Sequence, residues 1–284
     1  MISSRQRNKQ TRKMIGWTLR YAVLGVVLIF FAFPVFWIVS TSLKTPEEYT
    51  HSPPIYIPAQ PHFDNYSRAL GKGGEGGKAL RDSLVIGISA TLLTLLLGVP
   101  AAYSMARYDT GGRNFSFWIL SQRMMPPVAA VLPIFILYRN VKLLDTHLGL
   151  ILLYTVFALP LCIWMMRSYL QEVSVEMEES ARMEGASQWQ VWRYITLPLV
   201  APGLSATMIF VFIFAWTEFL FSLVLTRSSV LTLPVLVSRF FGTQSYEWGV
   251  ASAVAVIATL PVVILSLFVQ RHFVRGMTLG AVKS

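Results

Sequence analysis

The chain has 284 residues, 54% of them hydrophobic and 13% charged, with a net charge of +10. A soluble domain carries about 25% charged residues, so much of this surface faces lipid. One cysteine, Cys162, excludes an internal disulfide framework, and the four histidines (His51, His62, His147, His272) lie far apart in the sequence with no metal-ligand spacing.

Residues 1–19 form a basic tail, and six of the 24 Lys and Arg fall within the first 20 residues. Immediately before an apolar run, such charge sets membrane orientation, and no nucleic-acid partner is expected. The run from Tyr21 to Val39 is longer than the ~7–15 residue core of a signal peptide, and no small-residue cleavage site follows it, so it predicts an uncleaved span. About 20 apolar residues at 1.5 Å rise cross the ~30 Å hydrocarbon core. Six segments meet this length: 20–42, 83–106, 115–138, 147–169, 199–224 and 248–271. Residues 20–271 thus read as one membrane domain of an all-α integral membrane protein with six transmembrane helices.

The third span contains Arg123, Pro126, Pro127 and Pro133 and is expected to be kinked or broken, shielded by its neighbours. With the N-terminus in the cytoplasm, 14 Lys and Arg lie on the cytoplasmic side and nine outside, so the 272–284 tail is also cytoplasmic. The external segment 43–82 holds a Gly-rich run, Gly71 to Lys78. A phosphate-binding loop needs Gly, four residues, then Gly-Lys-Ser/Thr. Here Lys72 stands where Gly is required and Ala79 where Ser or Thr is, so the run is a surface turn. The chain is expected to carry no nucleotide site, catalytic residue or metal of its own.

Between spans four and five, residues 170–198 are rich in charge. Ser174 is a helix N-cap with Glu176 in its first turn, and Gly185 is a left-handed stop. Ser187 and Gln190 have capping-box spacing for a second helix. Trp189, Trp192 and Ile195 recur every three residues along it, and Pro198 is expected to end it and begin the next span. An aromatic face beside charge suits a protein partner, although a helix lying on lipid headgroups has the same pattern.

This segment resembles the cytoplasmic loop of binding-protein-dependent ABC importer permeases: Glu-Ala-Ala, three residues, Gly, nine residues, Ile, one residue, Leu-Pro. The matching positions are Glu179-Ser180-Ala181, Gly185, Ile195 and Leu197-Pro198, with Ser180 in place of the first Ala. Leu144-Asp145-Thr146, Phe214 to Phe219 (with Thr217 where Asn is common) and the tail Arg275 to Lys283 resemble maltose-type carbohydrate permeases. The resemblance implies a type I ABC importer permease fold and a bacterial inner-membrane location. It also implies a second, related permease, two ATPase subunits that bind ATP and Mg, an external solute-binding protein and a carbohydrate substrate. Coupling to the ATPase is then expected of Glu178, Glu179, Ser180, Ala181, Met183, Gly185, Ala186, Trp189, Ile195 and Pro198. Thr278, Gly280 and Lys283 are expected to reach the ATPase, and Phe241, Gly242, Thr243 and Gln244 the binding protein.

Charges at membrane depth cost ~2.5–3.5 kcal/mol if left to lipid. Arg123 and Glu218 are therefore expected to face a cavity or a partner, either as a direct ion pair or a shared polar site on the sugar path, or as a structural polar contact at the permease interface. Tyr154 and Trp216 are the aromatic residues placed to stack on a sugar, or simply to pack. The rival reading is an ion-gradient-driven secondary transporter. It calls for repeated halves with matched broken spans, and span three has no clear twin.

Overall fold

The computed structural model describes residues 4–71, 75–240 and 247–280, and among them all regular structure is helical. They group into two units, one drawn from residues 1–69 and 244–256, the other from 70–243 and 257–284.

In the first unit, α1 (Ser4–Ser42) carries the first apolar span, Gly16–Ser42, and none of its most apolar stretch is buried within the chain. Its final carbonyls need partners once the helix stops. Asn65 supplies one, its amide donating to the carbonyls of Ser42 (3.0 Å) and Lys44 (2.9 Å). The Ser42 hydroxyl meets Tyr66 at 2.8 Å, and Lys44 is buried with its ammonium 4.1 Å from the centre of the Trp37 ring. Thr45 and Glu48 then form a reciprocal capping box that starts α2 (Pro46–Thr50). α3 spans Asp64–Leu70.

The second unit is built on α4 (Gly76–Arg107) and α7 (His147–Glu172), which lie against each other along their length. α11 (Ala201–Thr217) packs on both. Helix association in lipid depends on close backbone approach rather than on hydrophobicity. Gly98 provides that approach, since a Cβ there would stand 2.7 Å from the Cys162 sulfur on α7. Buried side chains form two clusters, one around Ile86, Leu150, Tyr154 and Phe221, the other around Val99, Cys162, Met166 and Val211.

The broken third span is borne out. α5 (Gly112–Ser121) runs into a 3₁₀ turn at Gln122–Met124, and α6 (Pro127–Asn140) leaves at 88°. Pro126 is extended (φ −60°, ψ 125°), which is where Pro127 forbids helical backbone. α8 (Val175–Met183) and α9 (Gln188–Val191) follow α7 as two short helices. From α9 the chain passes through a π turn, Trp192–Thr196, into α10 (Leu197–Leu199), and this piece meets α11 at 74°. Pro198 therefore lies inside the second helix rather than ending it. With no N–H to give, Pro198 cannot continue the ordinary ladder, and the hydrogen bonds widen so that Leu197 donates to the Trp192 carbonyl.

The fifth span departs further from expectation. The continuous 199–224 segment is interrupted: α11 stops at Thr217 and α12 (Leu220–Leu225) starts afresh, followed by α13 (Leu233–Phe240). α14 (Trp248–Gly280) continues past residue 271, where the last span was expected to finish. Among the described residues four helices are long and apolar enough to cross a membrane unbent, and counting each bent pair as one crossing gives up to six.

Candidate functional site

The α8–α9 elbow forms as its sequence specifies. The Ser174 hydroxyl accepts the Glu176 N–H at 3.2 Å. At the other end of α8, Ala186 N–H reaches the Ala181 carbonyl and Gly185 N–H the Arg182 carbonyl, both at 3.0 Å. This is a Schellman closure, and it requires the left-handed φ of +93° that Gly185 adopts. Ser187 and Gln190 close the predicted capping box, at 2.7 Å and 3.4 Å.

The elbow has two faces. Outward stand Glu179, Ser180, Met183 (88% exposed), Gly185, Trp189 (68% exposed) and Pro198, with Met177 and Tyr194 also exposed. Ala181, Ala186 and Ile195 are half-buried. The expected single aromatic stripe is divided: Trp189 is open, whereas Trp192 turns inward, its ring 4.7 Å from that of Tyr103 on α4.

Glu178, grouped with the exposed coupling residues by sequence, is buried. Its side chain is 1% exposed and pairs with Arg107, the last residue of α4, at 2.9 Å. Thr196 in the π turn donates to the same carboxylate oxygen at 2.9 Å, and Tyr103 donates to the other at 2.9 Å. Arg107 also donates to the Val173 carbonyl at 3.1 Å, and Gln188 to the Tyr103 hydroxyl at 2.6 Å. One buried carboxylate thus gathers α4, the α7–α8 joint, α9 and the π turn. Every charge and donor around it is matched, as a buried ion pair demands. Sequence reasoning missed Tyr103, Arg107 and Thr196; an Arg closing an apolar span was the available signal.

At membrane depth, Arg123 and Glu218 do not pair. The Arg123 guanidinium lies over Phe214, 5.7 Å from the ring centre. Glu218 is extended (φ −66°, ψ 126°), and its carboxylate accepts the N–H groups of Phe221 (2.9 Å) and Ser222 (3.1 Å) and the hydroxyl of Tyr154 (2.7 Å). These bonds satisfy the bare first turn of α12 and explain the break in span five. Tyr154 (1% exposed) and Trp216 (4% exposed) are packed rather than open to a sugar ring. Trp216 stacks on Phe212 and donates its indole N–H to the Ala258 carbonyl at 2.9 Å.

A second polar hub occupies the opposite ends of α4 and α7. Asp145, at φ +56°, accepts four successive backbone N–H groups, from Arg227, Ser228, Ser229 and Val230, at 2.8–3.2 Å. Asp82 takes His147 at 2.8 Å and the Leu231 N–H at 2.9 Å, and Ser83 takes the Leu233 N–H at 2.8 Å. Burial pushes the Asp145 carboxyl up, but the four N–H groups outweigh it and hold the group well below its usual range. A depressed folded pKa adds stability that is complete above the ordinary value of about 3.9 and is lost only as pH falls through the folded value. Asp145→Asn is therefore expected to cost about 1.5–3 kcal/mol. The deficit in thermal unfolding of detergent-solubilised protein should be constant from pH 8 to pH 5 and shrink as pH falls below about 4; a deficit unchanged down to about pH 3 would show that the Asp145 carboxyl is not held below its ordinary range.

Thr278 and Gly280 lie in the backbone of α14, whose side chains there are outside the described residues, as are Lys283 and Phe241, Gly242, Thr243 and Gln244. Among the described residues no group of three His, Cys, Asp or Glu is placed to hold a metal.

Residues 94–279 match the family described as binding-protein-dependent transport system inner membrane component. The trehalose transport system permease protein SugB of Mycobacterium tuberculosis is 38% identical over 268 residues, 93% of this chain and 97% of that protein. The trehalose/maltose transport system permease protein MalG of Thermococcus litoralis is 32% identical over 267 residues, 92% of this chain and 95% of that one. One chain of a bacterial ABC transporter involved in import of the acidic polysaccharide alginate has the same fold, with a TM-score of 0.74 at 23% identity over 96% of this chain and 99% of that chain.

Proposed function

The chain belongs to the family of binding-protein-dependent transport system inner membrane components, and from that premise we propose that it is the permease subunit of an ATP-driven carbohydrate importer that docks its ATPase through α8 and α9. The observation that carries this reading is the elbow itself. It presents Glu179, Met183 and Trp189 outward on a base fixed by a buried ion pair and the hydrogen bonds around it. Exposed apolar anchors beside charge on a rigid support are what a protein partner recognises. A helix resting on lipid headgroups would have no need of the buried base.

ATP and Mg are bound by two cytoplasmic ATPase subunits in this reading, and hydrolysis takes place there. A second permease completes the path, and an external binding protein delivers the solute. The elbow and both termini lie on the cytoplasmic side of the bacterial inner membrane, and the Asp145 hub lies outside. A carbohydrate cargo is supported by the relatives named for trehalose and maltose. The path residues are less specified, because Glu218, Tyr154 and Trp216 are occupied by internal contacts.

In a strain lacking the gene, uptake of labelled trehalose or maltose should return with the gene restored. It should stop when ATP is exhausted while the ion gradient is held, and the purified chain should bring an ATPase subunit with it. Uptake that follows the ion gradient with ATP exhausted would instead establish the secondary transporter.

A further inference from the structure

We infer that Arg107 and Glu178 are positioning residues that carry movement of the docking elbow into α4, and through α4 to the loop held by Asp82 and Ser83. This rests on docking through α8 as proposed above. α8 is joined by chain to α7 at Val173, and α9 leads through the π turn to α11. α4 has no such covalent link to the elbow. What binds it there is the Glu178 carboxylate, held by Arg107 and Tyr103 from α4 at 2.9 Å each.

Both members of the pair are nearly sealed from solvent, with side-chain exposures of 5% for Arg107 and 1% for Glu178. Separating them would strand a buried charge, so the elbow and this end of α4 move together or not at all. Arg107 also holds the Val173 carbonyl, which fixes the α7–α8 joint to the same point.

α4 has 32 residues and remains helical through Pro100, so at 1.5 Å per residue it reaches about 48 Å. At its far end Asp82 accepts the Leu231 N–H and Ser83 the Leu233 N–H. A displacement imposed on α8 therefore has an unbroken line of ionic bond, helix and hydrogen bond to the 226–233 loop. Coupling between distant sites needs a physical chain of this kind and an element biased from both ends.

The test uses the complex with its co-isolated ATPase in proteoliposomes and needs no transported solute. Arg81, exposed near the far end of α4, is replaced by cysteine. Cys162 is fully buried and does not compete for an impermeant maleimide. Trapping with ATP and vanadate is expected to change the Arg81→Cys labelling rate at least roughly fivefold, the lower range of ordinary allosteric coupling. Adding Glu178→Gln or Arg107→Met should abolish that change while the ATPase still co-purifies. The exchanged pair, Arg107→Glu with Glu178→Arg, should recover part of it. Tyr103→Phe, which removes the second bond from α4 to the carboxylate, should reduce the change and carries the comparison if the charge variants fail to accumulate.

An unchanged nucleotide response in the variants, or none in the Arg81→Cys parent, would overturn the inference and leave docking standing. So would loss of the ATPase together with the response, since the pair would then serve only to fold the elbow. Absence of an ATPase from the unsubstituted complex would refute the docking reading itself.

Discussion

Gly185→Val is expected to abolish uptake while the protein still accumulates in the membrane. The residue stands at φ +93°, and a Cβ there would meet nothing within 4 Å, so the variant is opposed by backbone conformation alone and not by a clash. For an L residue the left-handed region costs roughly 1–2 kcal/mol, and a β-branched one is worst placed to accept it. Relief would come from opening the Schellman closure, which sets the angle between α8 and α9 and hence the spacing of Met183 from Trp189. Gly185→Asn, tolerated in this region, should keep most uptake, and Gly185→Ala should fall between. Uptake in the deletion strain and co-purification of the ATPase measure the series. Wild-type behaviour of the valine variant would mean that the elbow angle is irrelevant to docking.

Glu218→Ala should be the most damaging change at membrane depth. It leaves the Phe221 and Ser222 N–H groups and the Tyr154 hydroxyl without their acceptor, each at a cost of about 1–3 kcal/mol when buried. The hydrocarbon core offers such groups no bulk water to turn to. The expected result is a sharp fall in folded protein, read by size-exclusion of detergent extracts. Tyr154→Phe removes one donor and its bond, and should lose far less. Should Glu218→Ala instead fold normally and lose only uptake, the carboxylate would belong to the transported solute after all.

These two sites differ in how much of them the sequence reveals. The Gly185 turn is a local structure: Ser174, Gly185, Ser187 and Gln190 act within a few residues of themselves, so their roles follow from spacing. The break at Glu218 depends on Tyr154, 64 residues away, and no pattern around Glu218 distinguishes it from a charge facing a cavity. Span three broke where expected because Pro126 and Pro127 act on their own backbone. Glu178 and Glu179 are adjacent and chemically alike, yet one is buried and the other exposed. Only the arrival of Arg107, 71 residues earlier in the chain, decides between them. The same holds for Trp189 and Trp192, which Tyr103 separates. Asp145 stood out in the sequence only by resemblance, because backbone N–H donors from residues 227–230 leave no mark in composition.

The π turn at Trp192–Thr196 makes the length of this segment a matter of angle. A surface loop absorbs an insertion or a deletion at little cost. Here the widened turn already accommodates one residue more than an α-helical turn would. One further residue inserted between Trp192 and Thr196 could not be absorbed in the same way, and everything beyond would rotate by about 100°. Thr196 would swing off the Glu178 carboxylate, and α11 would enter the membrane facing a different neighbour. Among variants of this protein, substitutions in the segment should outnumber changes of length.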